Sequence, residues 1–449
     1  MKRPNILYLH SHDTGRFIQP YGYAIPTPNL QKLAEGGILF RNAFCAAPTC
    51  SPSRAALLTG QCAHSSGMLG LAHRGWKLHD YSQHIIHTLR KAGYQSSLCG
   101  VQHVAAGPDS VVTIGYDHHI ATPDSRVQSV APAAAAWLGH APQEPFFLSV
   151  GFVETHTLPA AETFPDSLFG CGRGDARYVN PAPPLPDTPQ TRQDMADFKE
   201  AARVLDNGVG QVMDALAKNG LAENTLVIST TDHGIPLPGM KCNLTDWGLG
   251  VLLMLRGPNG FMGGKICDAM VSQIDIFPTL CEYLQIEKPA WLQGRSMMPL
   301  MMGETAEIND AIFAEVTHHA AYEPQRAVRT QRWKYIRRLN DRTLPVLPNT
   351  DDSRSKDVWA QNGWREKEIP REKLYDLVFD PNESCNLAAD AAHAGVLQEM
   401  RARLDAWMHE TDDPMLRGPV AAPPGTVATD PENYAPGKPG REPFDWFWK

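Results

Sequence analysis

An α/β fold built on a large, mostly parallel sheet flanked by helices, followed by a smaller α+β unit, is what this 449-residue chain predicts. Three observations lead there. Short β-rich apolar runs alternate with helical patterns through roughly the first 300 residues, the pattern of consecutive strand–helix crossovers. Histidines and aspartates fall just after four of the expected strands. Beyond about Asp310 the spacing changes to short strands at 327–330 and 333–336, which are expected to pair antiparallel.

Taken in order, residues 6–9 read as the first strand. Thr27-Pro28 opens a helix that Gly36-Gly37 closes, because proline suits a first helical turn and glycine an ending. A second helix follows Cys50: Pro52 lies in its first turn, the Ala-Ala-Leu-Leu run at 55–58 propagates it and Gly60 ends it. Another is expected over 84–92. Further strands are expected at 96–98, 146–150, 225–230 and 251–255, and the apolar periodicity over 194–219 and 273–284 is helical. The segment 171–190, loaded with Pro181, Pro183, Pro184, Pro186 and Pro189, reads as a surface excursion. A helix over 397–409 and a proline-rich tail from Pro414 that wraps the surface complete the second unit, dividing the chain into 1–310 and 311–449.

Lys plus Arg number 41 and Asp plus Glu 49, for a net charge of −8. That balance offers no general footprint for nucleic acid or a membrane surface, so an anionic substrate has to be drawn in by a local positive site. No stretch has the length of a membrane span, and the apolar run before His10 is too short for a secretory core; the expectation is a soluble, cytoplasmic protein. The nine cysteines show no Cys-x-x-Cys spacing, which argues against a zinc ribbon or a redox pair.

The polar clusters are His10, His12 and Asp13 after the first strand, His103 after 96–98, His156 after 146–150, and Asp232-His233 after 225–230. In an open parallel sheet the carboxyl ends of the strands share one edge, where ligands bind, so these residues are expected to meet in one cleft. A lone histidine is more often structural. It is the repeated position that points to chemistry. Two carboxylates and two imidazoles, Asp13, Asp232, His12 and His233, make a metal site able to polarise a bound anion and hold a nucleophile against it.

Residues 50–60, Cys-Ser-Pro-Ser-Arg-Ala-Ala-Leu-Leu-Thr-Gly, resemble the Cys-x-Pro-x-Arg signature of the type I sulfatases of the alkaline phosphatase superfamily. The resemblance runs from Pro4-Asn5-Ile6-Leu7 through Tyr-Asp-Leu-Val-Phe-Asp-Pro-Asn-Glu at 375–383 to the helix beyond. Within that family, Gly234-Ile235-Pro236-Leu237-Pro238 with Lys241 and Asn243-Leu244, and the run at 407–414, are most similar to the N-sulfoglucosamine sulfohydrolases, or heparan sulfamidases. The resemblance implies that a separate formylglycine-generating enzyme oxidises Cys50 to formylglycine, whose hydrate attacks sulfur and later expels sulfate. It implies that Arg54 neutralises charge beside that nucleophile, that His103 helps the hydrate lose its proton and break the covalent sulfate, and that His156 contacts the sulfate and protonates the leaving oxygen or nitrogen. Lys241 would hold another sulfate oxygen. His64, His318, His319, Tyr322 and Arg326 fall where substrate contacts are expected, and the implied substrate is a small, saccharide-like sulfate ester or sulfamate. A homodimer is implied only by the resemblance.

Three positions depart from the family pattern. His12-Asp13 stands where most sulfatases have Asp-Asp, and Asp232-His233 where many have Asp-Asn. Oxygen-rich sites suit calcium, whereas added imidazoles favour manganese, zinc or another transition ion. Val101 occupies the place of a motif lysine, so one positive contact has to come from elsewhere. Two readings compete with a sulfatase: a phosphonate monoester or phosphodiester hydrolase of the same superfamily, and a non-catalytic anion-binding protein in which Cys50 stays a thiol.

Overall fold

The computed structural model describes residues 3–157, 167–426 and 428–437. Strand β1 (Asn5–Ser11) is buried along its whole length, as a strand covered on both faces must be. Ile6 and Tyr8 enter one apolar layer, Leu7 and Leu9 the other. Around it lies an eight-stranded sheet in the order β4 (His118–Ile120), β3 (Gln95–Gly100), β5 (Phe146–Gly151), β1, β6 (Thr225–Thr231), β7 (Leu253–Arg256), β2 (Ile38–Phe44), β8 (Lys265–Ser272). Every neighbouring pair is parallel except the two made by β7, which runs antiparallel to both β6 and β2. Because β7 reverses against both neighbours, β2 points the same way as β6. The carboxyl ends of β3, β5, β1, β6 and β2 therefore open on one edge.

Register keeps those ends level: Leu9 pairs with Val150 on one side and Ser229 on the other, and Val150 pairs with Cys99. The contact is close enough at Gly151 that a Cβ there would lie 2.2 Å from the Val101 carbonyl oxygen and 2.4 Å from the His10 ring. Only glycine fits. Helices Pro28–Gly36, Val127–Gly139 and Pro189–Lys218 cover one face, and Cys50–Thr59, Ile85–Lys91 and Ile276–Tyr283 the other.

The elements expected at 6–9, 28–36, 84–92, 146–150, 225–230 and 194–219 are present with small shifts in their ends. The sequence reading did not find β2 or β8, nor the helix Val127–Gly139. In β2 the polar Arg41 and Asn42 interrupt the apolar run, and Pro132 sits inside the helix. The segment 171–188 runs over the surface as expected but is pinned to the fold: Ala182 and Leu185 are buried with Phe169 and Phe198, and Asp197 accepts hydrogen bonds from the Leu168 and Gly174 amides.

A second sheet, antiparallel throughout, has the order β12 (Glu372–Asp376), β11 (Trp333–Arg338), β10 (Tyr322–Arg329), β9 (Ile312–His318). Ile312, Ala314, Val316, Ala327 and Ile336 join the apolar layer of the main sheet. Val328, Tyr335 and Leu374 on the opposite face pack against Leu397, Met400 and Leu404 of the helix Ala394–Glu410. One layer thus binds the two sheets together, and the Glu315 amide donates to the Ala46 carbonyl at 3.0 Å just ahead of the Cys50 helix. Among the described residues, no helix is long and apolar enough to cross a membrane.

Candidate active site

Cys50 is the first residue of a ten-residue helix in which every residue is buried and which Gly60 ends in the left-handed conformation (φ 67°). Burial on all sides requires each polar side chain to find a partner. Ser51 Oγ accepts from the Ala72 amide at 3.0 Å, Ser53 Oγ donates to the Asp232 carbonyl at 2.5 Å, and Thr59 Oγ1 donates to the Ala55 carbonyl at 2.7 Å. Arg54 donates to Asp232 Oδ2 at 3.0 Å and to the Ser11 carbonyl at 2.8 Å, and lies 2.7 Å from His10 Nδ1. The signature helix is thereby clamped to the ends of β1 and β6, with residue 50 in the first turn, where free amides and the helix dipole favour an anion.

Opposite Cys50 lie the clusters that follow β1 and β6. Asp13 Oδ1 is 4.0 Å and His233 Nε2 3.4 Å from Cys50 Sγ. The Asp13 amide donates to Asp232 Oδ1 at 2.8 Å, and His12 Nδ1 stands 3.1 Å from Asp232 Oδ2. His233 Nδ1 lies 2.9 Å from the Gly234 carbonyl oxygen, a contact that needs the proton on Nδ1. Its Nε2 lies 3.3 Å from Asp13 Oδ1. One donor atom each from His12, Asp13, Cys50 and Asp232 lies within 4.8 Å of the others, the span of a single coordination sphere. Here the Cys50 sulfur stands where an oxygen of a matured residue 50 would sit.

Charge is balanced by the chain itself. Burial would raise the pKa of Asp13, but Lys241, His156 and His233 outweigh it and hold the carboxyl well below its ordinary 3.8. For Asp232 burial is likewise outweighed, by His233, Arg54 and His12. Burial lifts the Cys50 thiol well above its ordinary 9.0 against the pull of Lys241, with Asp13 and Asp232 adding to the rise. A thiol so held is a poor nucleophile.

Lys241 Nζ is shared by Asp13 Oδ2 at 2.9 Å, Asp351 Oδ2 at 3.0 Å and His156 Nε2 at 3.3 Å. His156 Nδ1 contacts the Thr157 carbonyl at 2.5 Å, which turns Nε2 toward the lysine. His103 Nε2 meets His73 Nδ1 at 3.1 Å, with the rings stacked and centroids 5.3 Å apart. Burial first, then Arg74, His156 and Lys241, lower the pKa of His73 to about 3, so it is neutral. Asp13 (φ 50°), His103 (φ 56°) and Cys242 (φ 64°) all adopt the left-handed backbone that few non-glycine residues enter. Such strain gathers at sites the surrounding fold over-determines.

The structure therefore brings together Cys50, Arg54, His12, Asp13, Asp232, His233, His103, His156 and Lys241. His319 is buried beside them, its pKa held low by burial and then by Lys241. The other four substrate-contact expectations do not converge on this cleft. His64 bonds Glu315 through both its amide and Nδ1, and Arg326 is fully buried with its guanidinium on Asp413 and Glu315. Those groups tie the second sheet to the rest of the protein. His318 contacts the Val420 carbonyl and the Trp76 and Tyr322 rings, and the Tyr322 hydroxyl meets Met415 Sδ. Sequence reasoning missed Asp351 and His73. Asp351 sits in an irregular loop with no motif around it, and His73 lies between the signature helix and β3, where only its spacing from Cys50 could have marked it.

Comparison with known proteins points to one family. The Sulfatase family model matches residues 4–286, and the model for the C-terminal part of N-sulphoglucosamine sulphohydrolase matches 242–356. The chain is 31% identical to the N-sulphoglucosamine sulphohydrolase of Homo sapiens, over 94% of this chain and 92% of that protein. A putative sulfatase from Bacteroides thetaiotaomicron superposes with a TM-score of 0.71 at 22% identity, covering 98% of this chain and all of the other. A structure in complex with its substrate D-glucosamine-2-N,6-O-disulfate superposes with a TM-score of 0.67 at 19% identity, covering 93% and 99%. With the signature helix, the converging strand ends and a family model spanning more than half of its length, the chain belongs to the sulfatase family, hydrolases of sulfate esters and sulfamates.

Proposed function

We propose that the chain hydrolyses a sulfate ester or sulfamate of a small saccharide, with residue 50 matured to formylglycine and one divalent ion held by Asp13, Asp232, His12 and His233. The observation that carries this reading is the position of Cys50, in a helix first turn facing Asp13 and His233 and within one donor cluster with His12, Asp13 and Asp232. Matured, residue 50 supplies an oxygen nucleophile from an aldehyde hydrate. The ion supplies Lewis-acid polarisation of a sulfate oxygen. The two imidazoles in the donor set favour manganese or zinc over calcium.

The chain's own residues do the rest. Arg54 and Lys241 place two buried positive charges where an anion must settle. His103, fixed by His73, faces the signature helix as the proton acceptor for the nucleophile. His156 is the group that hands a proton to the leaving oxygen or nitrogen. In the free site burial, followed by Lys241, lowers its pKa. A bound sulfate brings the opposite charge and raises the ring's proton affinity. Val101 offers no cation, and His73, which meets His103 at 3.1 Å, is neutral and does not supply one. Support for a saccharide comes from the relatives, one named for N-sulphoglucosamine and one holding a glucosamine disulfate.

The test is sulfate release by protein co-expressed with a formylglycine-generating enzyme. Glucosamine N-sulfate, other sulfated monosaccharides and 4-nitrophenyl sulfate are compared with an aryl phosphonate monoester. Turnover of the sulfates, faster than of the phosphonate, is expected; a preference for the phosphonate would transfer the site to the competing hydrolase reading.

A further inference from the structure

Asp351 belongs to the loop between β11 and the helix Arg354–Gln361, and a carboxylate there is chemically out of place. Beside a pocket for a sulfate anion, a further negative charge repels the substrate unless it has another task. Its Oδ2 accepts from Lys241 Nζ at 3.0 Å and from Thr157 Oγ1 at 3.0 Å, and the residue groups with Asp13 and His156 within 4.8 Å. Exposure rises outward along this chain of contacts, from 0% at Asp13 to 2% at Lys241 and 16% at Asp351. Asp351 thus stands at the more exposed end of this chain of contacts.

The loop is anchored at both ends. Asn349 Oδ1 accepts from the Ala321 amide at 2.8 Å while its Nδ2 donates to Glu323 Oε2 at 3.0 Å. Ser353 caps the following helix by accepting from the Lys356 amide, and Asp194 holds Ser355 through its amide and hydroxyl. A carboxylate fixed in this way, with both contacts on Oδ2, presents Oδ1 as a preorganised acceptor.

We propose that Asp351 is a specificity-determining residue, whose Oδ1 accepts a hydrogen bond from a hydroxyl or N–H vicinal to the scissile sulfate, beside the atom that His156 protonates. The favoured substrates are then sugar sulfates or sulfamates that carry such a donor, and not alkyl or aryl sulfates that lack one. The inference rests on reading residue 50 as the nucleophile.

The experiment uses fully matured enzyme and three sulfated probes: the best-turned-over sulfated monosaccharide, its analogue with the vicinal donor replaced by hydrogen, and 4-nitrophenyl sulfate. Wild-type enzyme should prefer the donor-bearing sugar to the deoxy analogue by about tenfold or more in kcat/KM, because a site built to receive a donor rejects the analogue without it. Asp351→Asn, which keeps the size but removes the charge, should lose about 10- to 100-fold on the donor-bearing sugar and less than tenfold on the other two. No wild-type preference, or equal losses on all three probes, would overturn the proposal and leave Asp351 as a residue that only positions Lys241. Matured wild-type enzyme that turns over no sulfate would instead remove the parent reading of the site, and this inference with it.

Discussion

Lys241 and Arg54 each sit against one of the two buried carboxylates, so the cluster is charge-balanced by the protein itself. Removing one partner leaves a charge buried without compensation. Lys241→Met is expected to lower the unfolding free energy by about 3–5 kcal/mol, measured by chemical denaturation, as well as activity. Cys50→Ala separates the two effects. It deletes an uncharged buried thiol, so the protein should remain folded by circular dichroism while sulfate release falls by about 10³-fold or more. Retained turnover would remove residue 50 from the chemistry. At this scale the sequence was most legible where a residue carries a local marker. Cys50 and Arg54 lie in a fixed motif, and Asp13 and Asp232 each follow an apolar strand. Asp351 has no such marker, because a loop closing over a site from another sheet leaves no periodicity behind.

Among the elements, the second sheet is attached through a buried cluster of His64, Glu315, Arg326 and Asp413. Arg326→Ala should cost about 3–5 kcal/mol of stability, by removing the guanidinium from Asp413 and leaving Glu315 with His64 alone, while the KM of the folded enzyme stays where it was. A shift in KM with no loss of stability would restore Arg326 as a substrate contact. Glu154, between β5 and His156, makes a pH-dependent contribution. Burial raises its carboxyl from 4.5 to about 7, despite hydrogen bonds from the Val127 amide. With the folded pKa above the unfolded one, its stabilisation is complete below about 4.5 and disappears as pH rises through about 7. Relative to Glu154→Gln, the wild type should therefore lose on the order of 3 kcal/mol between pH 5 and pH 8, visible as a widening Tm difference; a difference constant with pH would refute the assignment. The sequence showed most of the strands around the site because β1, β5 and β6 are buried along their length and read as short apolar, β-rich runs. It hid β2, where polar residues lie mid-strand.

For the molecule as a whole, parallel strands with level carboxyl ends carry distant parts of the chain to one edge, and the loop after β11 of the second sheet contributes Asp351. That convergence could be anticipated from the positions of the polar clusters; the attachment of the second sheet could not, since Arg326 and His64 look the same in sequence whether they bind a substrate or a buried acid. Because Lys241 and Arg54 already balance the carboxylates, the metal-free protein should stay folded. Manganese or zinc at 100 times its Kd should stabilise it by about 2.7 kcal/mol, and Asp13→Asn should abolish that shift. An unchanged shift in Asp13→Asn would place the ion elsewhere. The central claim, that residue 50 acts only after conversion, is tested most directly by intact-protein mass spectrometry across preparations with graded maturation, each assayed for sulfate release. The account predicts turnover proportional to the fraction carrying the aldehyde in place of the thiol, with no activity at zero conversion; full activity in wholly unconverted protein would contradict it.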